Sequence, residues 1–189
     1  PNPNDPRAFP TWEIRAWRDR EVEFSEVQPK LSARYSISDN ISTYASWGRG
    51  FKTGGFNPFG TAELLRQFNP NSTVGDIFPK EVAETWEVGF KTLWAGNRLG
   101  INLAYFDTQT DNSQLLEFFP AATLQAVSTA DKVDMSGFEI EVNARPIDGL
   151  DLIASYGYLD AEIAAFSGLP PGVDYVGNKR PSTSPYPLL

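Results

Sequence analysis

Neither cysteine nor histidine occurs anywhere in the 189 residues. Without cysteine there is no disulfide framework and no thiolate nucleophile. Without histidine there is no imidazole base for a catalytic triad and no imidazole metal ligand. The chain also lacks any run of about 18 apolar residues, so no helix in it spans a membrane. Positive charge is scarce: 16 Lys and Arg stand against 24 Asp and Glu, a net charge of −8. Phosphate backbones need clustered cations, which argues against nucleic acid as a partner. The opening Pro1-Asn2-Pro3-Asn4-Asp5-Pro6 has neither the basic start nor the apolar core of a secretory leader. The expectation is that the natural start lies upstream.

What is present is aromatic and periodic. Aromatics make up 13% and charged residues 21%, a composition that folds. From residue 27 onward, apolar and polar residues alternate with period two, the sign of half-buried strands. Six strands are predicted. One face carries Leu31, Ala33, Tyr35 and Ile37 on the first, then Ile41, Thr43, Ala45 and Trp47 on the second. Trp86, Val88 and Phe90 follow on the third, and Leu99, Ile101, Leu103 and Tyr105 on the fourth, which runs on towards Phe118 and Phe119. Phe138, Ile140, Val142 and Ala144 belong to the fifth, and Leu150, Leu152, Ala154, Tyr156 and Tyr158 to the sixth. None of these is charged. The opposite faces hold Lys30, Arg34, Glu87, Lys91, Glu139, Glu141, Arg145 and Asp151.

Connections alternate in length. Turn signals at 38–40, 95–97 and 146–149 are short, whereas 51–80, 119–133 and the stretch after 165 are long. A short helix is predicted at Ala62–Gln67 inside the first of these. In a meander, alternate connections share an end of the sheet, so all short turns fall on one side. Short periplasmic turns opposite long extracellular loops are the pattern of an outer-membrane barrel. Trp47, Phe51, Trp86, Tyr105, Phe106, Tyr156 and Tyr158 fall at the long-loop end, and Trp94 near the other, as interfacial girdles would. The fold expected is all-β: an antiparallel meander of about six long strands forming part of a transmembrane β-barrel. A soluble β-sandwich that binds carbohydrate or another ligand shares the alternation and stays open as the alternative.

Particular segments carry a family resemblance. Tyr44-Ala-Ser-Trp-Gly-Arg-Gly-Phe-Lys-Thr-Gly-Gly-Phe-Asn57, with its approach Phe24–Tyr35, resembles a motif of the barrel domain of TonB-dependent outer-membrane receptors. Glu84-Thr-Trp-Glu-Val-Gly-Phe-Lys91 is similar to the strand returning from the long loop. Arg98–Asp107, Gln114, Ser136–Glu141 and Gly149–Ala161 fit the strands that follow. The resemblance implies a segment of a barrel of about 22 strands in the outer membrane of a Gram-negative bacterium. It implies active uptake of a bulky, scarce ligand such as a ferric siderophore, with a vitamin or a glycan as other cargo classes. The implied partners are outer-membrane lipid and lipopolysaccharide, and TonB acting through a plug domain absent from this chain. It implies no enzyme activity, no cofactor and no metal site. On this reading, residues 1–22, with Trp12 and Trp17, form a loop or irregular lead-in. Residues 23–166 form the barrel segment, and 167–189 an extracellular loop or truncated end.

Candidate site residues follow. Arg49, Lys52, Phe56, Asn57 and Phe59, at and beyond the exit of the second strand, are the ligand-contact candidates. Lys30, Arg34, Glu87, Lys91, Glu139, Glu141 and Arg145 are expected to face the lumen. Glu139 and Glu141 lie about 7 Å apart on one strand face, and are read as wall residues rather than an acid–base pair. Gly54-Gly55 is expected to supply a turn with φ > 0.

Overall fold

The computed structural model describes residues 21–167 and 174–179. Trp12, Trp17 and most of the two flanking stretches predicted as loop lie outside the described residues. Six strands form one antiparallel sheet: β1 (Lys30–Ser38), β2 (Ile41–Lys52), β5 (Glu81–Trp94), β6 (Leu99–Phe119), β7 (Leu124–Ile147) and β8 (Leu150–Ala165). They pair in chain order, as a meander. The connection between β2 and β5 holds a two-stranded ribbon, β3 (Gly55–Phe56) with β4 (Ile77–Phe78), and one helix, α1 (Thr61–Phe68).

Register carries the alternation across the whole sheet. One row runs Ala33, Ala45, Val88, Tyr105, Phe138, Tyr158, and the next Tyr35, Thr43, Phe90, Leu103, Ile140, Tyr156. Neither contains a charge. The reverse face carries Arg34, Tyr44, Gly89, Ala104, Glu139, Gly157 in one row and Ser36, Ser42, Lys91, Asn102, Glu141, Ser155 in the next. A shift of one residue in any strand would mix the two sets.

The sandwich alternative fails on this geometry. Its core residues would converge between two sheets. Instead, the described residues hold a single large sheet, with Leu31 72%, Leu103 43% and Leu152 51% exposed. The small core that exists sits elsewhere, near the long-loop end. There Ala130, Val133 and Ile163 are buried with Leu115, Met135, Phe166 and Tyr175 packed against them.

Tight turns close the short end. Gly149 takes φ 88° beside a register shift between Ala144 and Ile147, as a bulge with a left-handed glycine does. Ala95, Gly96 and Asn97 are all left-handed, with φ 51°, 64° and 68°.

The long end differs from expectation in one element. Residues 119–133 are not a loop. β6 is 21 residues long and β7 is 24, joined by a single 3-10 turn at Pro120–Ala122. The fourth strand does run on to Phe119, and the fifth starts at Leu124. A tilted membrane strand needs about 9–11 residues, so much of this hairpin stands clear of the aromatic belt. Its upper part has Ser113, Ala126, Ser128 and Ala130 buried on one side, with Leu116 and Phe118 exposed on the other.

Gly54-Gly55 also departs from the expected role. Neither residue has a positive φ. A Cβ on Gly54 would collide with the Phe24 ring and the Phe78 carbonyl, and one on Gly55 would lie 2.7 Å from Phe78 Cζ. Close packing, not turn geometry, requires glycine here.

Candidate functional site

The charged face is built by strand alternation, and its side chains engage one another. The Tyr44 ring lies across Gly89, where a Cβ would stand 2.7 Å from the hydroxyl. Arg34, Glu87 and Lys91 gather beside Tyr44, and Lys91 Nζ sits 5.8 Å from the ring centroid. Phe106 covers Gly137 in the same manner: a Cβ added there would stand 2.6 Å from Phe106 Cζ. Glu141 Oε1 accepts from Asn102 at 3.3 Å and from Asn143 at 2.6 Å. Arg34 donates to Ser42 at 3.2 Å, and Arg145 grips Asp151 through two hydrogen bonds at 2.7 and 3.1 Å. Lys30, opposite Gly48, completes the set. All seven residues expected on the lumen side therefore share one face of the sheet.

The uncharged face has sharp limits. At the long-loop end, Trp47 and Trp86 meet at 5.9 Å between ring centroids, and Trp47 Nε1 donates to Glu84 at 2.8 Å. The next row outward is Arg49, Glu84, Gln109, Asp134. Arg49 thus continues the outward face above the tryptophans. It bonds Glu26 at 3.2 Å, and Lys80 reaches the same carboxylate at 2.7 Å. The Lys80 hydrogen bond, with the charges of Lys80 and Arg49, holds the Glu26 carboxyl below the usual carboxylate range.

The connection between β2 and β5 is an ordered structure. Ala, Glu, Leu, Arg and Gln favour the helix of α1, with Glu63 in its first turn and Arg66 in its last. Gly60, at φ 82°, takes the N-cap position and offers no side-chain cap. Asp76 supplies one from a distance: its carboxylate accepts from Gly60 N at 3.2 Å and Ala62 N at 2.9 Å. Asn57 is 6% exposed, and both its amide hydrogens and its oxygen are engaged. Nδ2 donates to Gly75 O at 2.8 Å and Val127 O at 2.9 Å, while Oδ1 accepts from Val127 N at 2.7 Å. The side-chain amide thus pairs with the Val127 backbone as another strand residue would. Gln114 makes a second anchor. Its Nε2 donates to Thr53 O at 2.9 Å and Pro79 O at 3.2 Å, and its backbone N–H donates to Glu81 at 2.7 Å.

The five ligand-contact candidates consequently divide. Lys52, Phe56 and Phe59 are exposed, Arg49 is engaged with Glu26, and Asn57 is buried as an anchor. Glu26 and Asp76 are absent from the sequence-based set. Each acts on a partner far along the chain, so no local spacing marks it. Gln114 is marked only by the family resemblance. A cavity of about 430 Å³ lies between α1, the tip of the β6–β7 hairpin and the segment after β8. Its place depends on β7 starting at Leu124, inside the stretch expected to be a loop.

Comparison with known proteins agrees with this architecture. The family described as TonB dependent receptor-like, beta-barrel, matches residues 3–188. The ferric-pyoverdine M114 receptor PbuA of Pseudomonas sp. strain M114 is 28% identical over 76% of this chain and 16% of its own length. The probable TonB-dependent siderophore receptor PiuA of Acinetobacter baumannii is 32% identical over 68% of this chain and 16% of its own length. The crystal structure of the ferric yersiniabactin uptake receptor FyuA from Yersinia pestis superposes with a TM-score of 0.56 at 25% identity. That superposition covers 79% of this chain and 20% of the receptor. The chain spans about a sixth of the length of the curated relatives it matches. It belongs to the TonB-dependent receptor β-barrel family.

Proposed function

We propose, with membership of the TonB-dependent receptor family as the premise, that this chain is a wall segment of an outer-membrane receptor for a ferric siderophore. The observation that carries the reading is the sheet's division into two faces. One is exposed, uncharged and bounded outward by tryptophans and then by charges. The other bears Lys, Arg and Glu. An apolar outward band between aromatic girdles, with a polar interior, is what a lipid-embedded barrel wall requires. The relatives named for ferric-pyoverdine and siderophore reception support the cargo class.

On this reading the short turns lie in the periplasm, and the helix-bearing connection and tall hairpin face outward in a Gram-negative bacterium. Lipid and lipopolysaccharide surround the uncharged face. TonB works through the plug of the complete receptor. The segment performs no bond chemistry: it walls the lumen and frames the outer mouth, where Lys52, Phe56 and Phe59 are the exposed ligand-contact candidates.

The test is uptake of ⁵⁵Fe-labelled siderophores by cells with and without the receptor gene. Loss of uptake of one chelate on deletion, restored by the complete gene only when TonB is present, supports the proposal. Unchanged uptake of every chelate tried would overturn it.

A further inference from the structure

The cavity at the outer tip has its own chemistry. Its walls include Leu65 of α1, Glu117 and Phe119 of β6, Ser128 of β7, and Phe166 and Tyr175 after β8. Phe166 and Tyr175 meet edge to face, 5.3 Å between centroids. The Thr73 hydroxyl, donating to Ser167 O at 3.5 Å, ties the helix-bearing connection to the segment after β8. Ser128 is 4% exposed, and its hydroxyl has no hydrogen-bond partner among the described residues. A buried hydroxyl without a partner is unfavourable, and a ligand atom that bonds it removes that cost. Among the described residues, Glu117 is the one charged group in the lining, and no Lys or Arg lines the cavity. Aromatic faces attract flat apolar groups and cations, while a carboxylate repels anions.

Location separates this cavity from the barrel interior. Phe119 lies roughly 45 Å along β6 from Tyr105, which stands in the outer aromatic belt. We propose that the cavity is an outer docking site for an aromatic-bearing ligand of zero or positive charge. The aromatic group stacks against Phe119, Phe166 and Tyr175, and a polar atom bonds the Ser128 hydroxyl. The biological source of such a ligand rests on the uptake reading; the binding itself does not.

Three naphthalene probes of equal size and different charge test it: 2-naphthylmethanol, 2-naphthylmethylamine and 2-naphthoate. Their binding to the complete receptor in lipid nanodiscs is measured by equilibrium dialysis, with empty nanodiscs subtracted. The alcohol and the amine should bind at least about tenfold more tightly than the carboxylate, a gap of about 1.4 kcal/mol. Glu117→Gln should shrink that gap to about threefold or less. Ser128→Ala should weaken the alcohol by about threefold to tenfold. Equal or tighter binding of naphthoate, or an affinity indifferent to both variants, would overturn the site. So would no binding at all, which would mean that the receptor's own chain fills the cavity. Probe binding without uptake of any ferric chelate would leave the site standing and remove the uptake reading.

Discussion

Asn57 shows how much one side chain organises. Its amide closes a paired hydrogen bond with Val127 and also holds Gly75. Asn57→Ala would leave buried backbone groups unpaired, at about 1–3 kcal/mol each before relaxation. Amides of residues 54–76 should then exchange at least about tenfold faster, as hydrogen-exchange mass spectrometry of the complete receptor would show. Unchanged exchange would mean that other contacts hold the connection. Glu26 gives a pH-dependent counterpart. Its carboxyl is lowered chiefly by the Lys80 hydrogen bond. A carboxyl so lowered stabilises the fold above its unfolded value and loses that contribution as pH falls through the folded one. Protease protection of residues 21–29 should therefore persist near neutrality and fade in acid, below the ordinary carboxylate range. Glu26→Gln should lack that acid-dependent step. Neither role was legible beforehand. Asn57 followed a Gly-Gly-Phe motif that suggested ligand contact, and the partners of Glu26 lie 23 and 54 positions away (Arg49 and Lys80).

Strands inside the membrane band were legible because two solvents impose alternation. Lipid outside and water inside force apolar and polar residues onto opposite faces. The short turns were legible too, through Asp39-Asn40, Gly96-Asn97 and Asp148-Gly149. The upper half of β7 was not. Outside the lipid no face must be apolar, so Leu124–Asp134 mixes Ala, Ser, Thr, Asp and Lys without a clear period. The small residues Ala126, Ser128 and Ala130 are buried there. Within the band, aromatic rings laid over glycines lock neighbouring strands. Gly89→Ala should cost about 1–3 kcal/mol by forcing Tyr44 from its seat. In a Tyr44→Ala background the same change should cost much less, because the clash is gone. Folded and unfolded bands on heat-modifiability gels of the complete receptor would read both effects. Equal costs in the two backgrounds would contradict the proposed packing.

At the scale of the whole molecule, the uncharged face follows a slant. On β1, β2 and β5 it begins at Leu31, Trp47 and Trp86, and on β6, β7 and β8 one row further in, at Tyr105, Phe138 and Tyr158. Such a stagger is what tilted barrel strands produce when the membrane is level. Every residue of β1 is exposed, and its outer edge is unpaired among the described residues. Open edges are untenable in lipid, so the segment requires neighbouring strands of the complete receptor. Leu103→Arg, mid-face, should cost about 2–4 kcal/mol in folding into bilayers. Ala104→Arg, one residue along on the charged face, should be tolerated far better. Extraction of membranes followed by folding-yield measurement would separate the two.

The most direct test of the lipid-facing wall uses the absence of cysteine in this stretch. Spin labels at Leu103→Cys, Ala104→Cys and Leu116→Cys in the complete receptor would be read by power saturation with oxygen and with a water-soluble nickel chelate. The label at position 103 should be relaxed mainly by oxygen, as in lipid. Those at 104 and 116 should favour the nickel chelate, as in a hydrated lumen and an external hairpin. Nickel-dominated relaxation at 103, or oxygen-dominated relaxation at 104, would contradict the account.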